Sequence, residues 1–271
     1  MKLIRFLDSR ERIGFAARTP AGDFRLEGDV FGAFHITQER VQVARLLAPI
    51  APTQILAIGL NYRQHAHESG VPAPEFPVVF TKFLGSLNHP GAPIVLPQRL
   101  PSDSVDFEAE LAVVIGRECR NATRETALDF VLGYTCANDI SARDWQFARG
   151  GTQWGRAKSF DSFCPLGPAL TLKDEIQNPN ALAITTVLNG QTVQNSNTRD
   201  MIFDVPAIIE FLSADSTLPQ GTVILTGTPQ GVGMARTPPL YLQSGDEITV
   251  EIEKIGALSN AVQTRETTRN S

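Results

Sequence analysis

Cysteine is scarce in this 271-residue chain: Cys119, Cys136 and Cys164 are odd in number and far apart, with no CxxC spacing. Neither a disulfide framework nor a thiolate zinc site is indicated, and a reducing compartment is expected. An excess of basic charge is also missing. Lys and Arg total 24 against 29 Asp and Glu, a net charge of −5, the wrong sign for a nucleic-acid or anionic-membrane binder. No run of eighteen apolar residues occurs, so no membrane span is expected. Arg5 and Asp8 stand where a secretory signal needs its apolar stretch, which gives a cytoplasmic protein as the expectation. Gly-x-Ser-x-Gly is absent, which counts against a serine hydrolase. The loop Thr226-Gly-Thr-Pro-Gln-Gly-Val-Gly233 has neither the Lys-Ser/Thr ending of a P-loop nor GxGxxG spacing.

What remains is a chain with 42% hydrophobic residues, long enough for one sizeable core. Short alternating stretches at 2–6, 13–17 and 24–26 read as strands, and Thr37 caps a predicted helix through Leu47. A Pro-rich joint at 48–52 then sets a boundary. Beyond it strands are predicted at 55–59, 78–80, 110–115, 133–137, 182–188, 223–225 and 248–252. Thr123 is expected to cap a helix reaching Val131 to Gly133. Asp204 caps another, with Val205, Ile208, Ile209 and Leu212 on one face. The organisation predicted is a small N-terminal α+β domain at 1–52, a mostly β catalytic domain at 53–262, and a polar tail at 263–271.

The densest chemical signal is the alternation of Asp106, Glu108 and Glu110, opposite Phe107, Ala109 and Leu111. Carboxylates ~6 Å apart repel by roughly 2–3 kcal/mol per pair at an effective dielectric near ~20, so something positive belongs beside them. All-oxygen ligation suits Mg2+ or Mn2+, and Asp139 offers a further carboxylate. A solvated strand face is the plain alternative. His65 and Glu68, three apart, share a face if their segment forms a helical turn, and a carboxylate beside an imidazole makes a general base. His65 and His67 as a zinc pair lack a third ligand at a useful spacing. Arg143, Gln146 and Lys158 follow Asp139 and suit a carboxylate or carbonyl oxygen. With nineteen Arg and only five Lys, a Lys in a Gly- and aromatic-rich loop is unusual.

As an ordered set these stretches resemble the fumarylacetoacetate hydrolase family, in the branch with a short N-terminal region. The set comprises Gly59-Leu-Asn-Tyr62 with His65 and Glu68, Glu108-x-Glu110, Asn138-Asp139 through Gln146, Lys158-Ser-Phe-Asp161, Cys164-Pro-Leu-Gly-Pro168 and the 226–233 loop. The resemblance covers about residues 55–260. It implies a mixed β-roll with a small N-terminal domain, α+β but mostly β, assembled as a homodimer. It implies that Glu108, Glu110 and Asp139 hold Mg2+ or Mn2+, that the turn bearing His65 and Glu68 is a lid, and that Lys158, Arg143, Gln146 and Thr228 contact the substrate. Ala157 stands where the family usually has Gly before the Lys.

The expected partner is a small 2-oxo acid bound through its carboxylate and 2-oxo oxygen. The expected reaction is hydrolysis of a carbon–carbon bond in a 2,4-dioxo acid, with His65 activating water and Lys158 supporting the oxyanion. Decarboxylation of oxaloacetate, tautomerisation, or hydratase and isomerase chemistry would use the same site. A non-enzymatic binding module would need the carboxylates but not His65 and Glu68. The substrate's tail is expected against the loops 71–77 and 236–242.

Overall fold

In the computed structural model, residues 1–264 are described, and the strand Ala109–Ile115 lies at the centre, buried along its whole length. Its alternation explains why: Leu111, Val113 and Ile115 enter one apolar cluster while Ala112 and Val114 enter another on the opposite face. It pairs antiparallel with Val131–Asn138 and with Val223–Leu225. The sheet continues on one side through Cys164–Leu172, Lys2–Leu7, Ile13–Thr19 and Gly22–Gly28 to Phe34–Arg40. On the other it runs through Ile55–Gly59 to the edge strand Val78–Lys82. Val223–Leu225 and Ile55–Gly59 are parallel, so this twelve-stranded sheet is mixed.

A five-stranded sheet, with Ala183–Leu188 and Glu247–Ile252 at its middle, covers one face. Ile184, Val250 and Ile252 from it share a core with Leu111, Val113, Tyr134 and Cys136. The helix Val205–Ser213 adds Val205, Ile208, Ile209 and Leu212 to that core, as the periodicity predicts. Asp204 caps it, its Oδ1 accepting from the Ala207 N–H at 3.0 Å. All three cysteines are buried and unpaired. No helix among the described residues is long and apolar enough to cross a membrane. The architecture is thus mostly β with mixed sheets.

Several local expectations are corrected. Residues 37–47 form no helix, and residues 1–52 carry strands only. The Val41 and Ala44 amides donate to Asp23 and Leu7, so neighbouring strands take the groups a helix would have used. After Thr123 only a 3₁₀ turn forms, at Ala127–Phe130, because Val131 enters the sheet opposite Ile115. Gln263 and Thr264 of the expected polar tail belong to the strand Gly256–Thr264, paired with Val95 and Leu96. The rest of that tail, 265–271, lies outside the described residues.

Candidate active site

Glu108, Glu110 and Asp139 come together because two adjacent strands end side by side. The Asp139 N–H donates to the Glu108 carbonyl at 2.8 Å, and the Glu108 N–H donates to Asn138 Oδ1 at 3.0 Å. Glu110 lies two residues further along, opposite Ala137. One carboxylate oxygen from each of the three lies within 4.8 Å of the others, and all three residues are buried. Asp106 does not join them, contrary to the simple alternation. The chain leaves strand geometry at Phe107 and Glu108, and Asp106 turns to Arg143 Nε at 2.8 Å and to the Gly233 and Met234 amides at 2.7 and 3.0 Å.

Three buried cations answer this charge. Lys158 Nζ reaches Glu108 Oε2 at 2.7 Å, Asp139 Oδ2 at 2.6 Å and Ser141 Oγ at 2.7 Å, so its three N–H groups are all engaged. Lys82 Nζ lies 2.6 Å from Asp139 Oδ1 and also donates to the Lys158 carbonyl. Arg143 Nη1 meets Glu108 Oε1 at 2.7 Å and Gln146 Oε1 at 2.9 Å. Burial alone pushes the Glu108 carboxyl upward, but Lys158 and Arg143 outweigh it and bring it to about 2. Burial also raises Glu110 well above the usual carboxylate range, and the charges of Asp139 and Glu108 add to the rise. For Lys158, burial favours the neutral amine, yet Asp139 and Glu108 reverse the sign and leave it raised.

The donor set fits a hard divalent cation: three carboxylate oxygen ligands, close together and buried. Glu110 also accepts from the Gly227 N–H at 2.5 Å. Gly227 has φ +95°, and a Cβ there would lie 2.7 Å from the Asn61 Cβ, so this approach requires glycine.

His65 and Glu68 do form one helical turn, Arg63–Glu68, with His65 Nδ1 2.7 Å from Glu68 Oε1. Facing a carboxylate, Nδ1 carries the proton, which leaves Nε2 as the acceptor. Glu68 is held in turn by the Gly231 N–H at 2.9 Å, tying this turn to the Gly-rich loop. On the same loop Thr228 Oγ1 accepts from Gln194 Nε2 at 3.0 Å. A cavity of about 340 Å³ brings His65, Glu108, Arg143, Gln146, Lys158 and Thr228 onto one surface. Arg143 Nη2, out of contact with water, has no hydrogen-bond partner in the protein.

Sequence reasoning missed Lys82, Gln194 and Asn61. Gln194 accepts from the Ala109 N–H at 3.1 Å and from Thr186 Oγ1, so it braces the strand that carries Glu110. Asn61 donates to Thr226 and Phe203 carbonyls, fixing the Gly-rich loop beside the His65 turn. Asn61 has a signal in the Gly59-Leu-Asn-Tyr62 motif, which assigns it no role, and Lys82 has one as one of five lysines, just after the apolar run at 78–80.

Residues 54–263 match the family profile described as fumarylacetoacetate (FAA) hydrolase C-terminal. Over 218 residues the chain is 50% identical to a mitochondrial oxaloacetate tautomerase of Xenopus laevis, covering 80% of this chain and 68% of that protein. Over 217 residues it is 46% identical to a mitochondrial oxaloacetate tautomerase of Homo sapiens, with the same two coverages of 80% and 68%. Among solved structures, a 5-carboxymethyl-2-hydroxymuconate delta-isomerase from Mycobacterium smegmatis superposes with a TM-score of 0.85 at 37% identity, covering 98% of this chain and all of that one (100%).

Proposed function

This chain belongs to the fumarylacetoacetate hydrolase family, and from that premise we propose that it moves a proton between the keto and enol forms of a small 2-oxo acid such as oxaloacetate. The observation that carries this reading is His65, paired with Glu68, lining the same cavity as Glu108. Glu108, Glu110 and Asp139 would hold Mg2+ or Mn2+, which when bound supplies charge that polarises the 2-oxo group and acidifies the adjacent C–H. His65 Nε2 takes the proton from C3, the electron pair forms the C2–C3 double bond, the 2-oxo oxygen takes a proton from solvent, and His65 gives its own back to solvent. Glu68 fixes the tautomer of His65 and stabilises its protonated form. Arg143, which lines the cavity, offers its positive charge to the substrate carboxylate, while Gln146 and Thr228 offer further polar contacts. Lys158 holds Glu108 and Asp139 in register and is the ammonium that lines the cavity.

Proton transfer stands ahead of carbon–carbon cleavage because two relatives at 46–50% identity carry the tautomerase name. The same base acting on water instead of C3 would give hydrolysis of a 2,4-dioxo acid. The test is a Mg2+- and Mn2+-dependent screen that follows enol absorbance, pyruvate and CO2 in parallel, with oxaloacetate and acylpyruvates as substrates. Absorbance change without cleavage supports tautomerisation. Pyruvate with a second acid, or CO2, moves the assignment to hydrolase or decarboxylase.

A further inference from the structure

The cavity has a second character that the chemistry above leaves unused. The strand Ile55–Gly59 ends against the indole of Trp154, where a Cβ on Gly59 would lie 2.2 Å from Cζ3 and 2.9 Å from Cη2. Only a bare backbone lets the ring lie there. Trp154 packs edge-on to Phe80 with centroids 5.4 Å apart, and Lys158 Nζ lies 5.1 Å from the centroid of the same Phe80 ring. A continuous wall therefore leads from the carboxylate-bound ammonium through Phe80 to Trp154 and Gly59. All four line the cavity, and Phe147 and Met234 add apolar surface.

Charge along the lining is the second observation. Among the described residues that line the cavity, the charged or titratable groups are His65, Glu108, Arg143 and Lys158. Each is already paired: His65 with Glu68, Arg143 with Asp106 and Glu108, Lys158 with Glu108 and Asp139. A carboxylate beyond the reach of Arg143 would be desolvated against aromatic rings with no cation to meet it. Of the two loops expected to hold the tail, 71–77 contributes Val71 to the lining and 236–242 contributes nothing.

We propose that Trp154 is a specificity-determining residue, and that its wall with Phe80 receives an uncharged alkyl or aryl tail running beyond C4 of the 2-oxo acid, past the point where oxaloacetate ends. The proposal rests on reading the cavity as a 2-oxo-acid site. Each methylene laid on such a wall should tighten binding roughly threefold.

The experiment is calorimetric titration of the Mg2+-loaded protein with pyruvate, 2-oxobutanoate, 2-oxopentanoate, 2-oxohexanoate and 2-oxoadipate. Affinity should rise along the monocarboxylates, and 2-oxoadipate should bind at least about tenfold more weakly than 2-oxohexanoate. The ratio of 2-oxohexanoate to pyruvate affinity should collapse towards one in Trp154→Ala. Trp154→Phe, which keeps an aromatic face, should retain most of that ratio and guards against a variant that fails to fold. A flat series in the wild type, a ratio unmoved in Trp154→Ala, or preferred binding of 2-oxoadipate overturns the proposal. Absence of pyruvate binding overturns the head-group reading itself, and the tail assignment with it.

Discussion

Lys82 and Lys158 meet on one carboxylate, Asp139, where the side chains are 0–2% exposed. Removing one partner from such a cluster leaves charge without compensation, at a cost of ~3–5 kcal/mol. Lys82→Met should therefore lower the unfolding free energy by about that amount in urea titrations with chelator present. With saturating Mg2+ the loss should shrink, because the cation restores positive charge beside Asp139. An equal loss under both conditions would separate Lys82 from the cation site. Glu108 and Glu110 are legible in the sequence because carboxylates at spacing two repel and call for a positive partner, and Asp139 because the family resemblance adds it to them. Lys82 is less so, since its partner lies 57 residues on and only the sheet joins them. Asp106 misleads for a local reason: the alternation rule assumes a continuous strand, and the strand breaks at Phe107.

Among the elements, the helix Val205–Ser213 is the one whose sequence says most. A capping Asp204, Pro206 in the first turn and an apolar stripe all agree, and the structure has each of them. Asp204 also meets Arg124 at 2.6 Å, an exposed contact of small value. Asp204→Ala should thus cost about 0.5–2 kcal/mol, mainly through the lost cap, read as a lower midpoint at unchanged slope in urea. Arg124→Ala should cost much less. The segment 37–47 shows the opposite case. Thr37 is a good cap in isolation, but Phe34–Arg40 finds strand partners in Gly22–Gly28, and Val41, Val43 and Leu46 pack on the Ile4 and Phe6 cluster. Local propensity loses there to long-range pairing, which one sequence does not display. The short turn carrying His65 is legible only through its chemistry, since six residues are too few for a periodic signal.

For the molecule as a whole, His89 ties the Pro-rich joint to the main sheet, its Nδ1 accepting from the Ala48 N–H at 3.1 Å. Burial lowers its pKa, and the nearby Arg45 and Arg5 lower it further. The unfolded chain then binds a proton that the folded chain refuses. Stability from this site is complete above the unfolded value near ~6.5 and is lost as pH falls through the folded value. Thermal midpoints should drop between pH 7.5 and 5.5, and His89→Asn should flatten that part of the profile. A slope unchanged in the variant would assign the acid sensitivity elsewhere. The large sheet also explains why the site forms at all: residues from Lys82 to Thr228 converge only because distant strands are neighbours in it. The measurement closest to the central claim follows ketonisation of enol-oxaloacetate by ultraviolet absorbance with the wild type and with His65→Ala, while Mn2+ occupancy is measured on the same samples. At least a ~100-fold loss of rate is expected in the variant, with cation binding retained. A near wild-type rate in His65→Ala, or wild-type acceleration that survives removal of the cation, would contradict it.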